Sequence, residues 1–203
     1  MAIKAVTFDM GGVLTFTSLG GISDYGATLG LPDDALTRYF RGHPMIAKLE
    51  VGEISGREFF KYVCTEAERE HGVRIDIREF ARYAARGEEL NPEMIELVAE
   101  VHRNHVTALL TNNAASATWR DSFPYEHFDH IVDSSEVGLR KPDPAIYQAL
   151  LARLDLPGDE VVFVDDFEEN LAPAKDLGLG VVHFGSASQC RAELKALGIL
   201  DRG

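Results

Sequence analysis

Cysteine is nearly absent. Cys64 and Cys190 are the only two, far apart in sequence and without metal-ligand spacing. A disulfide scaffold is thereby excluded, and reduced thiols are expected. The seven histidines form no HxxxH pair, and no CxxC occurs, which argues against a zinc site. No apolar run is long enough to cross a bilayer, and the one at residues 3–8 is too short for a signal peptide. The expectation is a soluble, cytoplasmic protein. Positive charge is also scarce: 20 Lys and Arg stand against 33 Asp and Glu, a formal charge of −13. Nucleic-acid and anionic-membrane partners are disfavoured, and any phosphate site needs local positive charge. Internal repeats and low-complexity tracts are missing.

What is present is core material and a regular alternation. Hydrophobic residues make up 45% of the 203 residues, enough for one domain, or for one carrying a smaller insertion. Short apolar runs at residues 3–8, 106–110, 131–132, 161–164 and 181–184 read as buried strands. Helical patterns separate them at 92–103, 144–154, 168–177 and 189–197. Asn91 and Asp143 are N-cap candidates, Pro92 suits the first helical position, and Gly178 and Gly198 suit C-termini. Strand–helix alternation predicts an α/β fold: a Rossmann-like parallel sheet with helices on both faces. Residues 15–90 differ. They hold no convincing strand, begin with a Gly-, Ser- and Thr-rich loop over 15–21, and then show amphipathic spacing at 33–40, 45–49, 57–71 and 77–86. The predicted organisation is a core of residues 1–14 and 91–203, with an α-helical cap over residues 15–90.

Chemically suitable residues fall at successive strand ends. Strand 1 ends at Asp9, strand 2 at Thr111-Asn112-Asn113, and strand 4 at Asp165-Asp166, with Lys141-Pro142-Asp143 just before a helix. Open α/β sheets bind ligands at this edge. Singly, each residue fits a turn or a cap. Jointly they supply a nucleophile, hydrogen-bond donors, a cation and a carboxylate cluster. Asp9, Asp165 and Asp166 would repel one another without a counter-charge. Mg2+, which takes oxygen ligands from one or two carboxylates plus a phosphate, resolves this. Asp9 would attack phosphorus, Thr111 and Asn112 would donate to phosphoryl oxygens, and Lys141 would hold Asp9 and the phosphate together.

These residues closely resemble the motifs of the haloacid dehalogenase superfamily, most of whose members are phosphatases. The motifs are Val6-Thr7-Phe8-Asp9-Met10-Gly11-Gly12-Val13-Leu14, Leu109-Leu110-Thr111-Asn112-Asn113, the Lys of Arg140-Lys141-Pro142-Asp143-Pro144, and Val162-Phe163-Val164-Asp165-Asp166 with Asn170. The resemblance extends to about Gly178. It is strongest to the helical-cap subgroup. Through His127-Phe128-Asp129 and Glu136-Val137-Gly138, the chain is similar to the N-terminal phosphatase domain of soluble epoxide hydrolases. The 203 residues leave no room for an α/β-hydrolase domain, so epoxide hydrolysis is not expected. The resemblance implies Mg2+ held by Asp9, the Gly11 carbonyl and Asp166, with Asp165 reaching through water and Asn170 orienting the loop. The implied substrate is a small phosphorylated metabolite, and the protein is expected as a monomer or homodimer.

Gly11 departs from the family pattern. Family phosphatases place Asp there to protonate the leaving group and then activate water, help worth about 10²–10⁴ in rate. A residue of the cap could replace it, with Asp24, Asp33 and His43 as candidates; the substrate could carry a good leaving group; or turnover could be slow. Two other readings stay open. One is a dehalogenase, which needs no metal but usually carries Tyr at this position. The other is a phosphate-ligand binding protein without catalysis. Phe16, Phe40, Phe59 and Phe60 are candidates for a pocket under the cap, with core packing as the default. Trp119, Phe123, Tyr125 and Phe128 read as core, His102 and His105 as surface or helix-end residues, and 66–70 as a solvated helix face.

Overall fold

The structure is a computed structural model and describes residues 2–16, 19–85, 89–114 and 123–200. Five parallel strands form one sheet in the order β3-β2-β1-β4-β5: β1 (Ala5–Phe8), β2 (Val106–Thr111), β3 (His130–Asp133), β4 (Val161–Asp165) and β5 (Gly180–His183). β1 is central. The chain passes from it to β2 on one side and later crosses to β4 on the other, so a topological switch point opens at the C-terminal ends of β1 and β4.

Alternation along the strands builds the two faces. Val6, Phe8, Leu109, Val162 and Val164 pack on one side with Met94, Leu97, Val98 and Val101 of α5 (Pro92–His102) and with Cys190 and Leu194 of α9 (Ala187–Ala196). Ala5, Ala108, Leu110, Val161 and Phe163 face the other side. There Ile146, Tyr147 and Leu150 of α7 (Pro144–Leu154) and Leu171 and Ala174 of α8 (Glu168–Asp176) cover them. Burial on both faces explains the continuous apolar runs.

Between β1 and α5 lie α1 (Leu19–Thr28), a 3-10 turn (Thr37–Phe40), α2 (Pro44–Glu50), α3 (Gly56–His71) and α4 (Ile77–Ala84), and a single-turn helix, α6 (Ser134–Val137), follows β3. The elements between β1 and α5 share a separate apolar cluster that includes Ile22, Leu36, Phe59, Val63 and Phe80. The chain leaves and re-enters the sheet region side by side. Thr15 bridges Leu90 in antiparallel fashion, and the Asn91 N–H donates to the Leu14 carbonyl at 2.8 Å.

Local expectations met mixed outcomes. Asp143 caps α7 by accepting from the Ala145 N–H at 2.9 Å. Asn91 occupies the N-cap of α5 but makes no side-chain capping bond, leaving the start to Pro92. The predicted helix at 33–40 shrinks to the 3-10 turn. Pro32 starts a tight turn, Ala35 N–H donating to its carbonyl at 3.0 Å, and buried Leu36 and Tyr39 sit three apart on one face. The loop predicted over 15–21 gives way at Leu19 to α1. Packing outweighs the weak helix propensity of Gly20 and Gly21: Ile22 is buried, Tyr25 stacks on Phe80 at 5.7 Å, and the Tyr25 hydroxyl bonds both main-chain groups of Asp76. Two further helix starts, Ser55 and Ser186, carry capping boxes.

Candidate active site

Strand register brings the acids together. Phe8 pairs with Val164, so Asp9 and Asp165 are the next step outward on adjacent strands. The Asp9 N–H donates to the Val164 carbonyl at 2.9 Å, fixing where β1 ends. One carboxylate oxygen from each of Asp9, Asp165 and Asp166 lies within 4.8 Å of the others. Lys141, 1% exposed, inserts between them. Its Nζ is 2.7 Å from Asp9 Oδ1 and 2.7 Å from Asp165 Oδ2, and it lies 5.4 Å from the centre of the Phe163 ring. Thr111 is buried at the end of β2, in register with Asp133.

Gly12 shapes the cluster. It has φ +82°, a conformation glycine adopts freely. A Cβ there would lie 2.3 Å from Asp166 Oδ2, so only glycine lets this acid approach the β1 loop. Gly11 is different. Its backbone is outside the left-handed region, and a Cβ on it would meet nothing within 4 Å.

The remaining partners divide the acids by role. Asp165 is saturated with donors: Lys141 and Asn170 reach Oδ2, while the Phe167 N–H at 2.8 Å and Asn170 Nδ2 at 3.0 Å reach Oδ1. Asn170 thus orients Asp165, and its own carbonyl accepts from the Tyr147 hydroxyl at 2.7 Å. Asp165 does not cap α8, whose N-cap is Phe167 with no side-chain cap bond; it fixes the turn before the helix through the Phe167 N–H and anchors Lys141 as well. Asp166 Oδ1, by contrast, is buried with no hydrogen-bond partner among the described residues. His183, at the end of β5, bonds the Asp166 carbonyl at 3.1 Å, where its Nε2 must be the donor.

An orphaned acid oxygen beside two more acids fits a hard divalent cation. The electrostatics agree. Burial pushes the Asp9 carboxyl from 3.8 up to about 7; the Lys141 ammonium opposes this, and Asp165 and Asp166 add to it. Burial, then Asp165, pushes Asp166 up to about 6. Without metal, the folded chain holds protons here that an unfolded chain has released. These groups therefore cost stability as pH rises from about 4 to about 7. Mg2+ held by the ionised forms would reverse that cost. Thermal unfolding should show a larger Mg2+-induced rise in Tm at pH 8 than at pH 5. Equal rises would contradict a metal held by these acids.

The expectations for the other candidate residues met mixed outcomes. The Asn112 side chain is partly committed. Its Oδ1 accepts from the Lys141 N–H at 2.8 Å and one Nδ2 proton goes to the Lys141 carbonyl at 2.9 Å, which leaves the second Nδ2 proton and the main-chain N–H for phosphoryl oxygens. Asp24 and Asp33 are exposed, and His43 Nδ1 accepts from the Met45 N–H to cap α2. Among the described residues, no hydrogen bond or ion pair joins these three to the acid cluster. Phe40, Phe59, Phe60 and Phe80 pack edge-to-face inside the helical cluster, which bears out the core reading, whereas Phe16 is 54% exposed. Phe123 and Phe128 are core, stacked at 5.0 Å. Tyr125 is exposed and packs on Phe123, and Trp119 lies outside the described residues. His102, at the end of α5, hydrogen-bonds the Thr107 hydroxyl.

Glu50 escaped the sequence reading altogether. It ends α2, pairs with Arg140 Nε at 2.7 Å, and accepts at its main-chain carbonyl from the Ser134 hydroxyl at 2.5 Å. No local pattern marks it; only the contact across 90 positions does.

The haloacid dehalogenase-like hydrolase family matches residues 3–178. The chain is 28% identical over 214 residues to bifunctional epoxide hydrolase 2 of Rattus norvegicus, covering 96% of this chain and 39% of that protein. It thus spans about two-fifths of that relative's length. A phosphatase of Mycobacterium tuberculosis is 28% identical over 222 residues, with 99% and 98% covered. Among solved structures, a haloacid dehalogenase family enzyme of Bacteroides thetaiotaomicron, in a magnesium complex, aligns with a TM-score of 0.74 at 20% identity, covering 96% of this chain and 99% of that one. That likeness speaks to the fold.

Proposed function

The chain belongs to the haloacid dehalogenase-like hydrolases, and from that premise we propose that it is a Mg2+-dependent phosphatase acting on a small phosphorylated metabolite through Asp9. The observation that carries this reading is one ammonium, 2.7 Å from Asp9, set among three carboxylates that lie within 4.8 Å. Asp9, Asp166 and the Gly11 carbonyl would hold the metal, while Asp165, both of whose oxygens already accept from Lys141, Asn170 and the Phe167 N–H, would anchor Lys141 rather than reach the ion through water. The ion supplies charge neutralisation for the phosphoryl group.

The chain's own residues do the rest. An Asp9 carboxylate oxygen attacks phosphorus, the bond to the leaving oxygen breaks, and an aspartyl-phosphate forms. Lys141 keeps Asp9 and the incoming phosphoryl oxygens in contact across their mutual repulsion. The Thr111 hydroxyl and the Asn112 N–H donate to those oxygens. Water then attacks phosphorus, the Asp9–phosphorus bond breaks, and phosphate departs. The water supplies the proton that ends on the alcohol, so ester and water become alcohol and phosphate. Residues 15–90 act as a cap over the core of 1–14 and 91–203; their separate apolar cluster and the paired exit and entry at Thr15 and Leu90 support this division. A dehalogenase is less well supported, because it leaves the orphaned Asp166 oxygen without a task.

A panel of phosphate esters assayed with and without Mg2+ tests the reading. Phosphate release that needs Mg2+ is expected, and none across the panel would overturn it. Gly11 adds a sharper expectation. Its open surroundings admit a side chain, so Gly11→Asp should fold and should raise turnover of alkyl phosphates by about 10²-fold or more. Aryl phosphates, whose leaving groups need no proton, should change little. An unchanged alkyl rate would contradict Gly11 as the limiting gap.

A further inference from the structure

Resting on the phosphatase reading, we propose that Glu50, from the helical insertion, is a positioning residue that holds the three core loops around Lys141 in one arrangement. Its contacts close a ring. The Glu50 carboxylate pairs with Arg140 Nε at 2.7 Å, and Arg140 is the neighbour of Lys141. The Lys141 main chain is held on both sides by the Asn112 amide, at 2.8 and 2.9 Å. Asn113, next in sequence, donates its N–H to the Ser134 hydroxyl at 3.0 Å. That hydroxyl in turn donates to the Glu50 carbonyl at 2.5 Å. One residue of the insertion therefore ties the loops after β2 and β3 to the loop carrying Lys141.

The closeness is built in. Glu50 is only 16% exposed at its side chain. Two residues on, a Cβ at Gly52 (φ +76°) would sit 3.0 Å from the Ser135 carbonyl. A short ionic hydrogen bond from Nε in a partly buried setting fixes geometry well. Lys141 must meet both Asp9 and the phosphoryl group, and small displacements of such groups cost rate steeply. Glu50 touches neither the carboxylate cluster nor Lys141 Nζ by any hydrogen bond or ion pair among the described residues; it acts through Arg140 and the Ser134 loop.

Glu50→Gln tests this because it keeps the carbonyl that Ser134 binds and removes only the charge facing Arg140. With p-nitrophenyl phosphate, kcat should fall about 10-fold while the Mg2+ midpoint stays unchanged. Arg140→Ala should show at least that loss, and the double variant should fall no further than Arg140→Ala. Losses that multiply, or unchanged kcat in both single variants, would overturn the proposal. Amide hydrogen exchange gives a second readout that does not depend on turnover. In Glu50→Gln, the Lys141 and Asn113 N–H groups should exchange faster while Leu109 and Val164 stay protected. Uniformly faster exchange, or none, would overturn it too. The local exchange change in Glu50→Gln, together with no phosphate release by the wild type, would instead strike the phosphatase reading alone.

Discussion

Asp9→Asn should lower Mg2+-dependent phosphate release by roughly 10⁴–10⁶-fold while leaving the chain folded. The carboxamide keeps the shape of the side chain but is a far weaker nucleophile. It also carries no charge for a cation. The fold should survive because Asp9 contributes little net stability: burial and two neighbouring acids already push its carboxyl up to about 7. Lys141 would keep its 2.7 Å bond to Asp165. Steady-state kinetics with circular dichroism checks both halves. Residual activity within about ten-fold of wild type would remove Asp9 from the chemistry.

Lys141→Met should damage both activity and stability. The ammonium is the one cation paired with Asp9 and Asp165 among the described residues, at 2.7 Å from each. Methionine fills the space but leaves buried carboxylates unpaired, a change that costs about 3–5 kcal/mol. Loss of the charge that offsets phosphoryl repulsion should lower kcat by roughly 10²–10³. The two losses separate by condition. Chemical unfolding in Mg2+-free buffer should show the full destabilisation, and Mg2+ should recover part of it, because the ion neutralises the same acids. No recovery of stability, together with near-normal kcat, would contradict a shared lysine–metal cluster.

Much of this was readable from residue order, for a physical reason. A parallel sheet buries both faces, so its strands are short apolar runs, and the first polar residue after each run falls at the ligand-binding edge. Asp9, Thr111 and Asp165-Asp166 all follow that rule. Contacts between distant segments were not readable. The Asn112 amide looked wholly available until the fold set its oxygen and one of its two protons against the main chain of Lys141, 29 positions away. Glu50 ends a short helix with nothing local to distinguish it, and its meaning comes only from Arg140 and Ser134. The same limit explains α1: Gly20 and Gly21 signal a loop, but Tyr25 packing against Phe80 and Asp76 pulls the segment into a helix. Gly11 was legible as a missing acid, while the open space around it was not.

The central claim is a covalent phosphoryl group on Asp9. Brief incubation with a radiolabelled phosphate ester and Mg2+, followed by acid quench, tests it most directly. Label should be retained on the wild-type chain, released by hydroxylamine as an acyl phosphate is, and absent from Asp9→Asn. Rapid phosphate release by the wild type with no label trapped at any quench time, or label that persists in Asp9→Asn, would contradict it.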